Sequence, residues 1–377
     1  MHVGRRCVGI GLLLGLHVLA ARAIEAPAPA MPPQQAAPAT PPPVNVTATD
    51  ESKFYERLQY VTHKRNLSGL DISDAVLTSL GRADIGAAIT TLESQSVGNN
   101  RDATIALVRI QHWCSSVGAA PIADPQAQLA RLATVISSDH LPRIAGLFIA
   151  ERAYRQKAQQ GCNTAPFDYR GIESRLRNAA AAGDPASATA LSQFVRDPAQ
   201  RDALLLQAAD QNYAPAQYAL AKSRLIAVQR GVSIENVSSI RLLLKQAGRT
   251  LSSAKVDLAN CMALACDGHP ADAPAAAAFG RDAARDGEPM AFLSMMRMPW
   301  GARLTRTQLL AWQYFGARLN ESGCTGDAYV QNVVFYTQTL RALEKGLKPN
   351  VLKDAKAQAD TLWQNNSARA MHEQGCG

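Results

Sequence analysis

The sequence predicts an all-α protein built as a solenoid of antiparallel helix pairs, and three observations carry that expectation. Four sequence markers recur in step at spacings of 38, 37 and 33 residues. The composition is Ala-rich, 47% hydrophobic and 19% charged, which favours close-packed helices over disorder. Apolar residues recur at helical spacing from about residue 50 onward, leaving little or no room for strands. The 377 residues suffice for two or three ordinary domains, or for one solenoid whose core grows by stacking.

Residues 1–23 read as a secretory signal peptide. Arg5 and Arg6 give a positive start, Val8 to Ala20 is almost wholly apolar, and Ala21-Arg22-Ala23 is a small-x-small cleavage site. An uncleaved anchor is the competing reading, but the apolar run is shorter than the roughly 20 residues that span a bilayer. No other segment is a candidate span. Cys7 precedes the apolar run and does not suit a lipoprotein acceptor. Loss of Arg5, Arg6 and Arg22 reduces the formal charge of +8 to 36 basic against 31 acidic residues. In an exported chain, that excess is too small to indicate nucleic acid. Residues 24–48 follow as a linker, with eight prolines from Pro27 to Pro43 and a single charge at Glu25, a composition that cannot bury a core.

Residues 49–180 form an N-terminal helical region. Asp50 can cap a helix with Phe54, Leu58 and Val61 on one side, and Asp71 opens a second with Ile72, Val76 and Leu80. Further helices are expected near 84–96, 101–114, 125–137 and 141–160.

Residues 181–345 carry the repeat array. A bulky residue stands at Leu204, Leu242, Phe279 and Trp312, followed after five residues by Ala209, Ala247, Ala284 and Ala317. Eight residues after the bulky position come Asn212, Thr250, Gly287 and Asn320, and twelve after it Ala216, Ala254, Ala291 and Cys324. Gly231, Gly268 and Gly301 precede three of the copies by 11 residues. The pattern implies that each first helix buries its bulky residue and presents Ala one turn on, so that the second helix approaches closely. Gly287, Asn212 and Asn320 suit a left-handed residue just past a helix end, and Pro215 and Pro289 suit the start of the next helix. Gly183 to Leu191, with Asp184 as cap and Pro185 as first helical residue, looks like an earlier, degenerate copy. Residues 346–377 are expected to close the stack with a helix near Leu352 to Trp363.

The stretches AADQNYAPAQYAL, FGRDAARDGEPMAFL and AWQYFGARLNESG resemble Sel-one-like repeats, relatives of the tetratricopeptide repeat. RGVSIEN at Arg230 to Asn236 is similar to that family's loop between units. The resemblance covers roughly residues 180–330 and implies a right-handed α-solenoid that binds proteins. It departs from the family at Thr250, where Gly is expected, and it fades over the upstream 130 residues.

Six cysteines follow Cys7, namely Cys114, Cys162, Cys261, Cys266, Cys324 and Cys376. In an oxidising compartment an even number predicts up to three disulfides, among 15 connectivities. Repeat proteins make contacts between sequence neighbours, which favours Cys114 with Cys162 and Cys324 with Cys376. Cys261 and Cys266 remain by elimination, and they can bridge only if their helix ends before Cys266, because on an unbroken helix they point apart. There is no Cys-x-x-Cys, and no metal or cofactor is expected.

No His-Glu-x-x-His, Gly-x-Ser-x-Gly or phosphate-loop pattern occurs. Ser252-Ser253-Ala254-Lys255 has the Ser-x-x-Lys spacing of penicillin-recognising enzymes, where a lysine amine assists the nucleophile. Its companion motifs are missing, and Ala254 is also a repeat marker. Seven aromatic residues gather between Trp300 and Tyr336, Trp312 and Tyr314 among them. They are either a C-terminal core or an aromatic-lined groove, in which case Trp312, Tyr314 and Tyr336 are the candidate binding residues. The expected function is that of a periplasmic or secreted module that captures an envelope protein or peptide without catalysis. The alternative is a cell-wall or β-lactam-binding hydrolase using Ser252 and Lys255.

Overall fold

The computed structural model describes residues 48–376 except 120, 121, 123, 137–139, 166 and 232–236. The signal segment, nearly all of the linker and most of the RGVSIEN loop lie outside the described residues. Seventeen α-helices follow one another with no strand among the described residues. The N-terminal region holds α1 (Ala48–Asn66), α2 (Asp74–Gly81), α3 (Ile85–Val97), α4 (Arg101–Ala119), α5 (Pro125–Leu132) and α6 (Leu141–Thr164). Five helix pairs follow: α7 (Tyr169–Ala181) with α8 (Pro185–Leu191), α9 (Pro198–Asp210) with α10 (Ala214–Gln229), α11 (Ser239–Ala247) with α12 (Ser252–Leu264), α13 (Ala273–Arg285) with α14 (Pro289–Arg297), and α15 (Arg306–Glu321) with α16 (Tyr329–Glu344). The last helix is α17 (Pro349–Glu373). This is the all-α solenoid that the repeat resemblance implies.

One turn recurs between paired helices. The first helix ends, one residue takes a left-handed φ, and the following N–H donates to the carbonyl five residues back. That residue then stands as the N-cap of the next helix. Asp84 N bonds Ser79 O behind Ala83 (φ 57°), Asp184 N bonds Ala179 O behind Gly183 (φ 94°), Tyr213 N bonds Ala208 O behind Asn212 (φ 60°), and Glu288 N bonds Ala283 O behind Gly287 (φ 75°). The turn at Ala83 and the same turn at Asn99 (φ 64°), with Asn100 N bonded to Gln95 O, both lie in the N-terminal region, where the sequence markers fade. Asp84, Asn100 and Asp184 also accept from a backbone N–H three residues on, which fixes the start of the second helix.

The markers fare unequally. Ala216, Ala254 and Ala291 are fully buried, so α10, α12 and α14 press close to their partner helices, whereas Cys324, 1% exposed, lies in the turn after α15. The bulky marker is not uniformly buried: Leu242 is 57% exposed, and Leu243 and Leu244 face the core instead. Thr250 takes no left-handed φ, and its turn uses four residues, 248–251, instead of three. Asn320 lies inside α15, which runs to Glu321, so Gly323 (φ 83°) makes the turn. Asp71 does not cap α2; Ser73 stands at that position.

Small residues make notches for large ones. A Cβ on Gly280 would lie 2.4 Å from the Trp300 ring, and one on Gly316 would lie 2.4 Å from Tyr336 Oη. Most of the aromatic run is therefore core: Trp300 and Phe315 are fully buried, and Tyr329, Tyr336 and Trp312 nearly so, while Tyr314 and Phe335 are half-buried.

The two ends of the stack meet. Arg57 of α1 donates to Ser322 O, Thr62 Oγ1 accepts from Asp327 N at 2.8 Å, and Arg65 donates to Gln374. Phe54 packs edge-on against Tyr329, with the Arg143 guanidinium over both rings. Thus α1 docks on the turn after α15 and on the end of α17, across a sequence separation of 265 residues.

Disulfides join Cys114 to Cys162, Cys261 to Cys266 and Cys324 to Cys376. The helix α12 does end before Cys266: Ala265 turns left-handed (φ 55°), and the chain folds back. No helix among the described residues is long and apolar enough to cross a membrane.

Candidate functional site

The second helices α10, α12 and α14 of three consecutive pairs line one groove. Each contributes a stripe at helical spacing: Tyr218, Lys222, Leu225 and Gln229 from α10, Ser253, Val256, Asp257, Asn260 and Leu264 from α12, and Met290, Leu293, Ser294 and Arg297 from α14. Met298 and the Cys261–Cys266 disulfide complete the walls. The groove encloses about 860 Å³ with its open mouth included.

Its floor is apolar, and its polar groups are held in place. Tyr218 Oη donates to Asp257 Oδ2 at 2.8 Å, and Lys222 Nζ meets the same oxygen at 3.2 Å. Burial first, then Asp257, pushes the Tyr218 hydroxyl pKa upward, so it remains a donor. Asn260 accepts from Trp300 Nε1 at 3.0 Å and donates to Ser294 Oγ at 3.3 Å, which ties α12 to α14. Only Oδ2 of Asp257 is engaged by these partners. Arg297 is exposed at the rim with no partner among the described residues. Met290, 42% exposed, offers a flexible apolar surface that can repack around different side chains.

The sequence-derived binding candidates do not assemble here. Trp312 and Tyr336 are 6% and 4% exposed. Their rings fill the core against Phe315 and Phe292, so the expectation that Tyr336 is an exposed groove residue is corrected. Tyr314 is half-buried and donates to Glu344 Oε1 at 2.6 Å, with Lys356 over its ring, away from the groove. The lining of this groove has no signature of rare residue types in the sequence, because its residues are chemically ordinary. Its one legible signal is that each stripe shares its helix with a buried Ala marker, Ala216, Ala254 or Ala291.

The Ser252 and Lys255 pair has no catalytic geometry. Lys255 Nζ is held by Asp282 at 2.6 Å and Asp286 at 2.7 Å. Burial alone would lower its pKa, but those hydrogen bonds outweigh burial and raise it, so the amine stays protonated and accepts nothing from Ser252. Ser252 is the first residue of α12, with Leu251 at the cap position; its hydroxyl points to Glu288 at 3.5 Å, and it caps nothing. His112, His140, His269 and His372 are exposed. The buried His63 donates from Nε2 to Tyr154 Oη at 3.0 Å, because Tyr154 gives its own proton to Leu80 O at 2.8 Å. Burial pulls the His63 pKa down to about 4. No group of three or more metal-ligating side chains occurs among the described residues.

No family model and no curated protein matches this chain. Several solved structures are similar to it, two of them as follows. One is a protective antigen of uropathogenic Escherichia coli displaying an SLR fold, 17% identical, with a TM-score of 0.44 over 85% of this chain and 70% of that one. The other is a Sel1 repeat protein from Oxalobacter formigenes, 17% identical, with a TM-score of 0.36 over 80% of this chain and 87% of that one.

Proposed function

We propose that this chain is an exported, non-catalytic helical-repeat module that holds a peptide or protein segment of the bacterial envelope in the groove of α10, α12 and α14. One observation carries the reading: three successive second helices turn in-phase stripes toward one cleft with an apolar floor and pre-positioned polar groups. Helix-lined grooves of this kind take an amphipathic segment through a few apolar anchors. Export is supported by the pairing of all six cysteines beyond Cys7, since disulfides persist in oxidising compartments.

Capture of a partner from envelope extract tests the proposal. Leu293→Asp puts a charge on the groove floor and is expected to abolish capture. Leu242→Asp, on the exposed side of α11, is expected to leave it intact. Equal capture by both variants would remove the groove from the account. Stable acylation by a fluorescent penicillin, lost on Ser252→Ala, would replace it with the hydrolase.

A further inference from the structure

A second cleft lies on another part of the molecule, between α13, the 3-10 turn Gly301–Arg303, α15 and α17. Its making is legible step by step. Gly280 leaves room for the Trp300 ring, which is buried and anchored by Nε1 to Asn260. That anchoring brings the residue after the notch, Arg281, and the residue three beyond the tryptophan, Arg303, to the same cleft. Neither guanidinium has a partner among the described residues, and no acidic side chain lines the cleft. Both side chains therefore keep their donors available to an anion that enters the cleft.

The remaining lining completes the recognition chemistry. The Gln308 side chain is oriented by the capping box of α15, its Oε1 accepting from Thr305 N at 3.0 Å, which leaves its amide N–H groups free to donate. Leu304 and Leu362 form an apolar wall, and the edge of Trp312, fixed by Phe315, closes it. Guanidinium groups suit planar oxyanions, to which they donate two parallel hydrogen bonds. The apolar wall favours an organic carboxylate over a bare inorganic anion.

We infer that this cleft binds a carboxylate borne beside an apolar group, with Arg281 and Arg303 taking the charge and Leu304, Leu362 and Trp312 taking the apolar part. A free small acid and the C-terminus of a peptide both present that chemistry. The site is independent of the α10, α12 and α14 groove.

Calorimetric titration of the full chain with N-acetyl-leucine, with its C-terminal amide, with inorganic phosphate and with a pentapeptide ending in a free leucine tests the inference. Free acids are expected to bind about tenfold or more tightly than the amide, as loss of a charge-assisted hydrogen bond implies, and to shift the Trp312 indole resonance. Arg281→Gln and Arg303→Gln are each expected to weaken binding by a similar factor at an unchanged melting temperature, while Leu293→Asp leaves it unaltered. Tighter binding of the pentapeptide than of N-acetyl-leucine identifies a chain terminus as the source, and equal binding identifies a small acid. Equal affinity for acid and amide, phosphate binding as tight as the organic acids, indifference to both arginine substitutions, or no binding of any probe would each overturn it.

Discussion

The N-terminal region and the repeat array solve the same packing problem by opposite means. In the array, the contact positions are alanine, and Ala216, Ala254 and Ala291 are fully buried, so helices gain contact by bringing backbones together. In the N-terminal region large residues predominate at the deepest positions, with Leu80, Ile85, Ile89, Leu92 and Leu107 fully buried beside Ala103 and Ala106. There, longer helices such as α4 and α6 are held by side-chain bulk and by the buried His63, Tyr154 and Leu80 O chain. Regular pairs with small contacts leave successive second helices in phase, which is what makes a groove. The bulkier region supplies instead the helix α1 that docks on the far end of the chain.

The contrast predicts where truncation and where enlargement does damage. The largest effect is expected from Leu92→Ala, which opens a cavity and lowers stability by roughly 3 to 5 kcal/mol in urea unfolding. A value near zero would mean that the N-terminal core collapses around the gap and is not held by bulk.

Next is the buried histidine. His63 titrates at about 4 in the folded chain against about 6.5 when unfolded. The unfolded chain therefore binds more protons between those values, and stability from this group is full above pH 6.5 and is lost as pH falls toward 4. The loss amounts to about 3 kcal/mol. Unfolding of His63→Gln across that window should lack this component, and an identical pH profile in the two proteins would contradict the buried neutral assignment.

In the array the damaging direction is enlargement. Ala291→Leu should cost about 1 to 3 kcal/mol through overpacking between α13 and α14, and a neutral or stabilising result would break the comparison at its other end. The smallest effect belongs to the shared turn. Asp184→Ala removes one cap and should cost about 1 kcal/mol, and Asn100→Ala in the N-terminal region should match it, since the two turns share one hydrogen-bond pattern.

What could be read from the sequence follows from the same physics. The array was legible because buried alanines and left-handed Asn212 and Gly287 recur at fixed distances, and a tight turn admits few residue types. The disulfide partners were legible because contacts in such a stack are between neighbours. Thr250 could be recognised as a departure but not as a four-residue turn. The docking of α1 was not legible at all, since it rests on Arg57, Thr62 and Arg65 meeting loop atoms near Ser322 and Asp327, with no periodicity to announce them. The groove lining was not legible because it uses leucine, methionine and valine beside a single acid, residue types that recur throughout the chain. Trp312, Tyr329 and Tyr336 are scarce residues spent on the core.

The central claim is that α10, α12 and α14 act together as one binding surface. Hydrogen exchange of the full chain, with and without a captured envelope peptide, tests it most directly. Coincident slowing of exchange within 218–229, 253–264 and 290–298 is the expected result. Slowing confined to the first helices α9, α11 and α13, or to one of the three stretches alone, would contradict it.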